Sequence, residues 1–134
     1  MRKELLNSLI KNSCEKLPAE SCGFLLGNIQ SRCYEVLSFI PVPNISKQSQ
    51  THFTMDPAVS IPILTNATHS ILGIYHSHPT AAAEPSSLDT STLWHTFPLY
   101  GIISLQNADR PHMQFYEIKK AAPISFNKLS FESD

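Results

Sequence analysis

The 134-residue sequence is poor in cysteine, and none of its three stands in a CxxC pair. The odd, scattered set Cys14, Cys22 and Cys33 argues against a disulfide framework and against a thiolate zinc knuckle, and it suits a reducing compartment. Long apolar runs are also missing. No stretch approaches the roughly 18 uninterrupted apolar residues of a membrane span. In MRKELLNSLIKNSCEKL, polar residues break each apolar run before it reaches signal-peptide length. A cytoplasmic protein without membrane attachment is the expectation. Nor is there an excess of one charge. Ten Lys plus Arg face eleven Asp plus Glu, so nothing electrostatic favours nucleic acid or an anionic membrane as partner. The sequence carries neither an internal repeat nor a low-complexity tract.

What is present is 42% hydrophobic residues, enough for one domain over residues 1–134 with a modest core. Leu5, Leu6, Leu9 and Ile10 fall at helical spacing and predict a helix over 3–16. CGFLLG, CYEVLSFI, ILGIYHSH, YGIISL and HMQFYEIK read as strands, DPAVSIPILTNATHS as a helix disturbed by Pro62, and SSLDTSTLWH as a short helix. The alternation predicts an α/β domain with a mixed central sheet packed by helices. Residues 41–57 are polar and proline-bounded, near the length limit of an ordinary loop, and read as a functional flap. FNKLSFESD, residues 126–134, lacks a pattern and is expected as a loose tail.

The stretch GIYHSHPTAAAEPSSLD carries the chemistry. On a strand, His76 and His78 point to one side with attachment points about 7 Å apart, while Ser77 points away. Pro79 stops the strand there and leaves the pair at an accessible edge. Two neutral imidazoles and a carboxylate make a zinc site with one position open. Asp89 is the natural third ligand, brought back by a loop that ends in a helix start at Ser86. Each element also has a plainer reading: HxH as a hydrogen-bonded strand end, and Ser86 with Asp89 as an ordinary capping box. The metal site accounts for the histidine spacing, the proline, the loop length and the acid together. Hydrolysis at such a site needs a proton carrier that is not a ligand. Glu20, in PAESCGFLLG just before a strand, is the candidate; Glu84, in the loop, is the competitor.

Glu20 followed far downstream by HxHx7SxxD over His76, His78, Ser86 and Asp89 resembles the motif of the JAMM (MPN+, Mov34/PAD-1) metallopeptidases. The likeness runs from about Pro18 through YEIK, and the PxExCGxLxG opening is similar to the compact bacterial and archaeal members. It implies a cytidine-deaminase-like three-layer α/β/α fold and a Zn2+ held by His76, His78 and Asp89. It further implies a water activated with Glu20 and an oxyanion steadied by Ser86. The substrate class it implies is a peptide or isopeptide bond after the Gly-Gly tail of a ubiquitin-like or sulfur-carrier protein. Such a tail could add as a strand to an exposed sheet edge, clamped by residues 41–55. Related domains also occur in phage tail proteins. The alternatives are a catalytically silent scaffold of the same fold and a cysteine hydrolase using Cys22. His52, His69, His95 and His112 read as surface or satisfied histidines, and Trp94 with Leu88 and Leu93 as packing for the short helix.

Overall fold

A computed structural model of the chain describes all residues except 67–69, 91–93, 121–123 and 134. Its elements, in chain order, are α1 (Lys3–Glu15), β1 (Cys22–Gln30), β2 (Cys33–Val42), α2 (Pro57–Asn66), β3 (Ile71–His78), α3 (Ser87–Thr90), β4 (Leu99–Ser104), β5 (His112–Lys119) and β6 (Ser125–Leu129). A 3-10 turn at Trp94–Thr96 stands before β4. The six strands form one sheet in the order β2-β1-β3-β4-β5-β6. Only β3 and β4 run parallel, so the sheet is mixed and the fold is α/β, as expected.

Strand alternation builds two cores, one on each face. Leu25, Tyr75, Ile103 and Phe115 point to one side, joined by Leu72 across a register irregularity in β3, and the Leu5, Leu6, Leu9 and Ile10 stripe of α1 covers them. Phe24, Ile74, Tyr100, Ile102 and Tyr116 point to the other, beneath Val59, Ile63 and Leu64 of α2 and the rings of Trp94 and Phe97. Every residue of β3 is buried, which suits a central strand covered on both faces. Gly73 is required where β3 meets β4: a Cβ there would run into the Leu99 carbonyl oxygen. Pro62 lies inside α2, as read, on an exposed stretch where water can serve the carbonyl its missing N–H leaves free.

Three sequence expectations change. The stretch expected as a loose tail contributes β6, whose Ser125–Leu129 backbone pairs with β5 while Phe126 packs edge-on against Tyr116. Phe131 likewise meets Phe115 edge-on, so residues 126–131 are held. The alternating signal was hidden because this edge strand is exposed along most of its length. Second, β1 continues past its apolar segment to Gln30 and meets β2 across a two-residue turn at Ser31 and Arg32, both with positive φ. Third, the helix expected over 86–95 is one turn of α3 and the separate 3-10 turn, with 91–93 outside the described residues. The expectations for His69 and Leu93, and for the side chain of His95, also lie outside them.

Residues 43–56 are a closed ribbon. Asn44 and Met55 form an antiparallel bridge, Ile45 N–H donates to the Thr54 carbonyl at 2.9 Å, and Asp56 N–H donates to the Pro43 carbonyl at 3.1 Å. This ribbon lines one wall of the cleft at the C-terminal end of β3.

Candidate metal centre

His76 and His78 sit at the C-terminal end of β3, on the sheet face that carries Ile74. The strand lies inside the sheet, between β1 and β4, so the pair opens at a strand end and not along a sheet edge. After Pro79 the chain loops out and returns at α3. There Ser86 and Asp89 cap each other: the Ser86 N–H and Oγ donate to Asp89 Oδ2 at 2.8 and 3.1 Å, and the Asp89 N–H donates to Ser86 Oγ at 3.3 Å. The capping box and the acidic cluster member are the same residue. The cap fixes the rotamer that turns Asp89 inward.

Four donor atoms from three residues converge. His76 Nε2 lies 3.0 Å from His78 Nε2 and 3.0 Å from Asp89 Oδ1, and His78 Nε2 lies 3.2 Å from Asp89 Oδ2. All three side chains are buried. Ligands at 2.0–2.1 Å from a tetrahedral zinc stand about 3.3 Å apart, close to these spacings, with the carboxylate meeting each imidazole through a different oxygen. The proton inventory points the same way. His78 Nδ1 faces the Ala82 carbonyl at 2.8 Å and must donate to it, so the neutral ring turns a bare Nε2 lone pair toward the carboxylate. Two lone pairs at 3.2 Å repel, so the contact calls for positive charge between them, supplied by a proton on Nε2 or by a bound cation. Burial raises the Asp89 pKa, but the His76, His78 and Ser86 contacts outweigh it and hold the carboxyl well below the usual range. Complete burial lowers the His76 pKa and keeps that ring neutral. Burial also opposes charge on His78, yet its bonds to Asp89 and Ala82 leave its pKa raised. A carboxylate and two buried imidazoles that converge form a set suited to a divalent cation.

Two further groups hold the triangle in place. Tyr100 of β4 donates its hydroxyl to Asp89 Oδ1 at 3.0 Å, and the Phe53 ring stacks on His76 with centroids 4.7 Å apart. Neither was read from the sequence. Tyr100 looks like one more apolar strand residue, and only its parallel register beside Ile74 brings it next to the histidines. Ser77 points to the opposite face, as strand parity requires. There its Oγ accepts the Ser21 N–H at 2.8 Å and its N–H donates to the Ser21 carbonyl at 3.0 Å. Ser21 Oγ in turn lies 2.7 Å from Ser13 Oγ of α1.

Glu20, the residue before Ser21, lines the cleft with His78, Ser86, Asp89 and Tyr100. It is only 6% exposed. Burial pushes its carboxyl up to about 7, with Asp89 adding to the rise and His78 opposing it. That value suits a group that takes and returns protons near neutrality. Glu84 is exposed and outside the cleft lining, in keeping with a solvated loop acid. Cys22 pairs across from His76, but its buried thiol is pushed up to about 12, first by burial and then by Glu20, and it faces the Val42 carbonyl at 3.4 Å. It is a core side chain, poorly suited to nucleophilic attack. His112 is exposed, whereas His52 is half-buried in the ribbon and lines the cleft, its Nδ1 2.7 Å from Thr51 Oγ1. Trp94 packs edge-on against Phe24 at 5.7 Å, as expected of a packing residue, while Leu88 is 49% exposed at the cleft wall. Among the described residues no helix is long and apolar enough to cross a membrane.

Comparison with known proteins bears on the family and the fold. Over 109 residues the chain is 26% identical to the tail tip assembly protein K of Escherichia phage N15, covering 81% of this chain and 42% of that protein. The chain therefore spans less than half the length of this relative. The solution structure of protein DSY2949 from Desulfitobacterium hafniense superposes with a TM-score of 0.83 at 28% identity, over 99% of this chain and 90% of that one. A protein from Salinibacter ruber shares the fold at a TM-score of 0.69 and 22% identity, over 100% of this chain and 92% of that one. The family model for prokaryotic homologs of the JAB domain matches residues 2–119. The chain thus belongs to the Prok-JAB family.

Proposed function

We propose that this protein is a zinc-dependent peptidase or isopeptidase. The observation that carries the reading is the buried triangle of His76 Nε2, His78 Nε2 and an Asp89 oxygen, with Glu20 in the same cleft. Its family includes hydrolases, which agrees. When bound, Zn2+ supplies Lewis acidity, acidifying water and polarising a carbonyl. The remaining tasks fall to the chain. His76, His78 and Asp89 hold the ion on one side and leave the cleft side open. Glu20 takes the proton of the attacking water and passes it to the leaving amine, which its raised pKa allows near neutral pH. Ser86 Oγ, at the rim of the cleft, donates its one hydrogen to Asp89 Oδ2 at 3.1 Å in this structure, and in the proposed reaction it would turn that hydrogen to the developing oxyanion. Removing one such donor costs about 3 kcal/mol of transition-state stabilisation.

The proposed substrate is the Gly-Gly tail of a ubiquitin-like or sulfur-carrier protein. Addition to a sheet edge does not bring such a tail to the site. The nearer edge strand, β2, is two strands from β3, so an added strand would run about 14 Å from the histidine strand. The ribbon at 51–54, which lines the cleft, is the better-placed track for an extended tail. Cleavage of a panel of Gly-Gly fusions tests the assignment. Activity should vanish on chelation, return with zinc, and be lost in Glu20→Ala with zinc retained; full activity in that variant would refute the mechanism. The similarity to a tail tip assembly protein favours a second reading, a binding scaffold within an assembly. Tight binding of a tail-bearing carrier with no cleavage would support it.

A further inference from the structure

The Asn44 side chain is the point at which the ribbon and the backbone of Glu20 meet. Its Nδ2 donates to the Glu20 carbonyl at 3.0 Å and to the His52 carbonyl at 3.0 Å, and it lies 3.4 Å from the Ser49 carbonyl. An amide nitrogen has two hydrogens, so the two short contacts take them. Its Oδ1 accepts the Ser46 and Thr54 N–H groups at 3.1 and 3.0 Å. Three carbonyls on one end and two N–H groups on the other define the amide orientation unambiguously. Ser49 completes the joint, its carbonyl accepting the Glu20 N–H at 2.7 Å. On the far side, Ser77 holds the next peptide through Ser21. Both backbone groups of Glu20 are therefore tied to the ribbon, and the following residue to the histidine strand.

We infer that Asn44 is a positioning residue that makes the ribbon and Glu20 one mechanical unit, so that a chain lying on residues 51–54 is placed relative to the Glu20 carboxylate through the Asn44 amide and the Ser49 carbonyl beside it. The inference rests on the hydrolytic reading for its kinetic consequence but not for the coupling itself. Asn44 touches no member of the metal triangle, which separates its effect from metal binding. Its chemistry also supplies a selective perturbation. Asn44→Asp keeps an acceptor for the Ser46 and Thr54 amides while replacing the donor to Glu20 and His52 with a second oxygen, which repels those carbonyls.

The test uses the zinc-loaded chain and three readouts: amide hydrogen exchange, zinc affinity by chelator competition, and steady-state cleavage of a Gly-Gly fusion. In Asn44→Asp the Thr54 amide should stay protected while the Glu20 amide, held by the Ser49 carbonyl that the new carboxylate would repel, exchanges about tenfold faster. Zinc affinity and KM should hold within about twofold while kcat falls about 100-fold, the scale of a misplacement of about 1 Å. Asn44→Ala should deprotect both amides. Unchanged Glu20 protection in both variants would overturn the coupling, as would an unchanged kcat once that amide has loosened. Loss of zinc in Asn44→Asp would also overturn it, by placing the residue's effect on the metal. Should the parent chain cleave no fusion, the hydrolytic reading fails and the exchange data still decide the coupling.

Discussion

Replacing Glu20 by Gln should make the metal-free protein more stable and the zinc-loaded protein inactive. The carboxyl titrates near 4.5 in an unfolded chain and at about 7 in the fold, because burial disfavours its charge. Between those values the native state keeps a proton that the unfolded chain has released, so this group's contribution to stability falls as pH rises through that window. Raising the carboxyl from 4.5 to about 7 corresponds to at most about 3 kcal/mol, fully present at pH 4 and lost by pH 8. Gln has no charge to bury and should escape the loss. Urea unfolding with a chelator present, at pH 4.5, 6, 7 and 8, should therefore show Glu20→Gln matching the parent in acid and exceeding it by about 2–3 kcal/mol at pH 8. The same variant should keep zinc and lose about 10²–10⁴-fold in hydrolysis, the usual contribution of a positioned acid–base group. A stability difference that stays constant across the pH series would refute the reasoning, because the carboxyl would then be solvated and have no raised pKa.

Tyr100→Phe removes the hydroxyl on Asp89 Oδ1 and should weaken zinc binding about 10–100-fold, measured by chelator competition, with secondary structure unchanged. Cys22→Ala should retain cleavage, and at pH 8 the parent's Cys22 should resist a thiol reagent that labels the exposed Cys14 and Cys33, read by peptide mass analysis. Gly73→Ala forces a methyl against the Leu99 carbonyl where β3 meets β4 and should cost more than about 3 kcal/mol in urea unfolding. Exchanging the positive-φ pair Ser31 and Arg32 for Asn and Gly should raise stability by about 1 kcal/mol, with no effect on zinc.

The parts of the site set by short-range rules were legible in the sequence. Strand parity alone puts His76 and His78 on one face with Ser77 behind, and the S-x-x-D spacing alone puts Asp89 in a cap. That the cap also faces the histidines depends on the return of the loop from Pro79 to Pro85, which no periodicity encodes. Glu20 was reachable only through its place before an apolar strand and a family likeness; its burial depends on the ribbon, 24 residues downstream at Asn44. Asn44 and Tyr100 were not legible because each acts through a partner distant in the chain, with no motif to mark it. The mixed sheet followed from five apolar segments, whereas β6 went unread because an exposed edge strand buries too little to leave an alternating pattern.

Calorimetric titration of the chelator-treated protein with zinc, beside Asp89→Ala and His76→Ala, tests the metal centre most directly. The geometry requires one ion per chain with affinity lost in both variants, and with binding unaffected by Glu20→Gln. Saturation by zinc that survives Asp89→Ala, or no binding to the parent at all, would mean that the three side chains meet for packing alone.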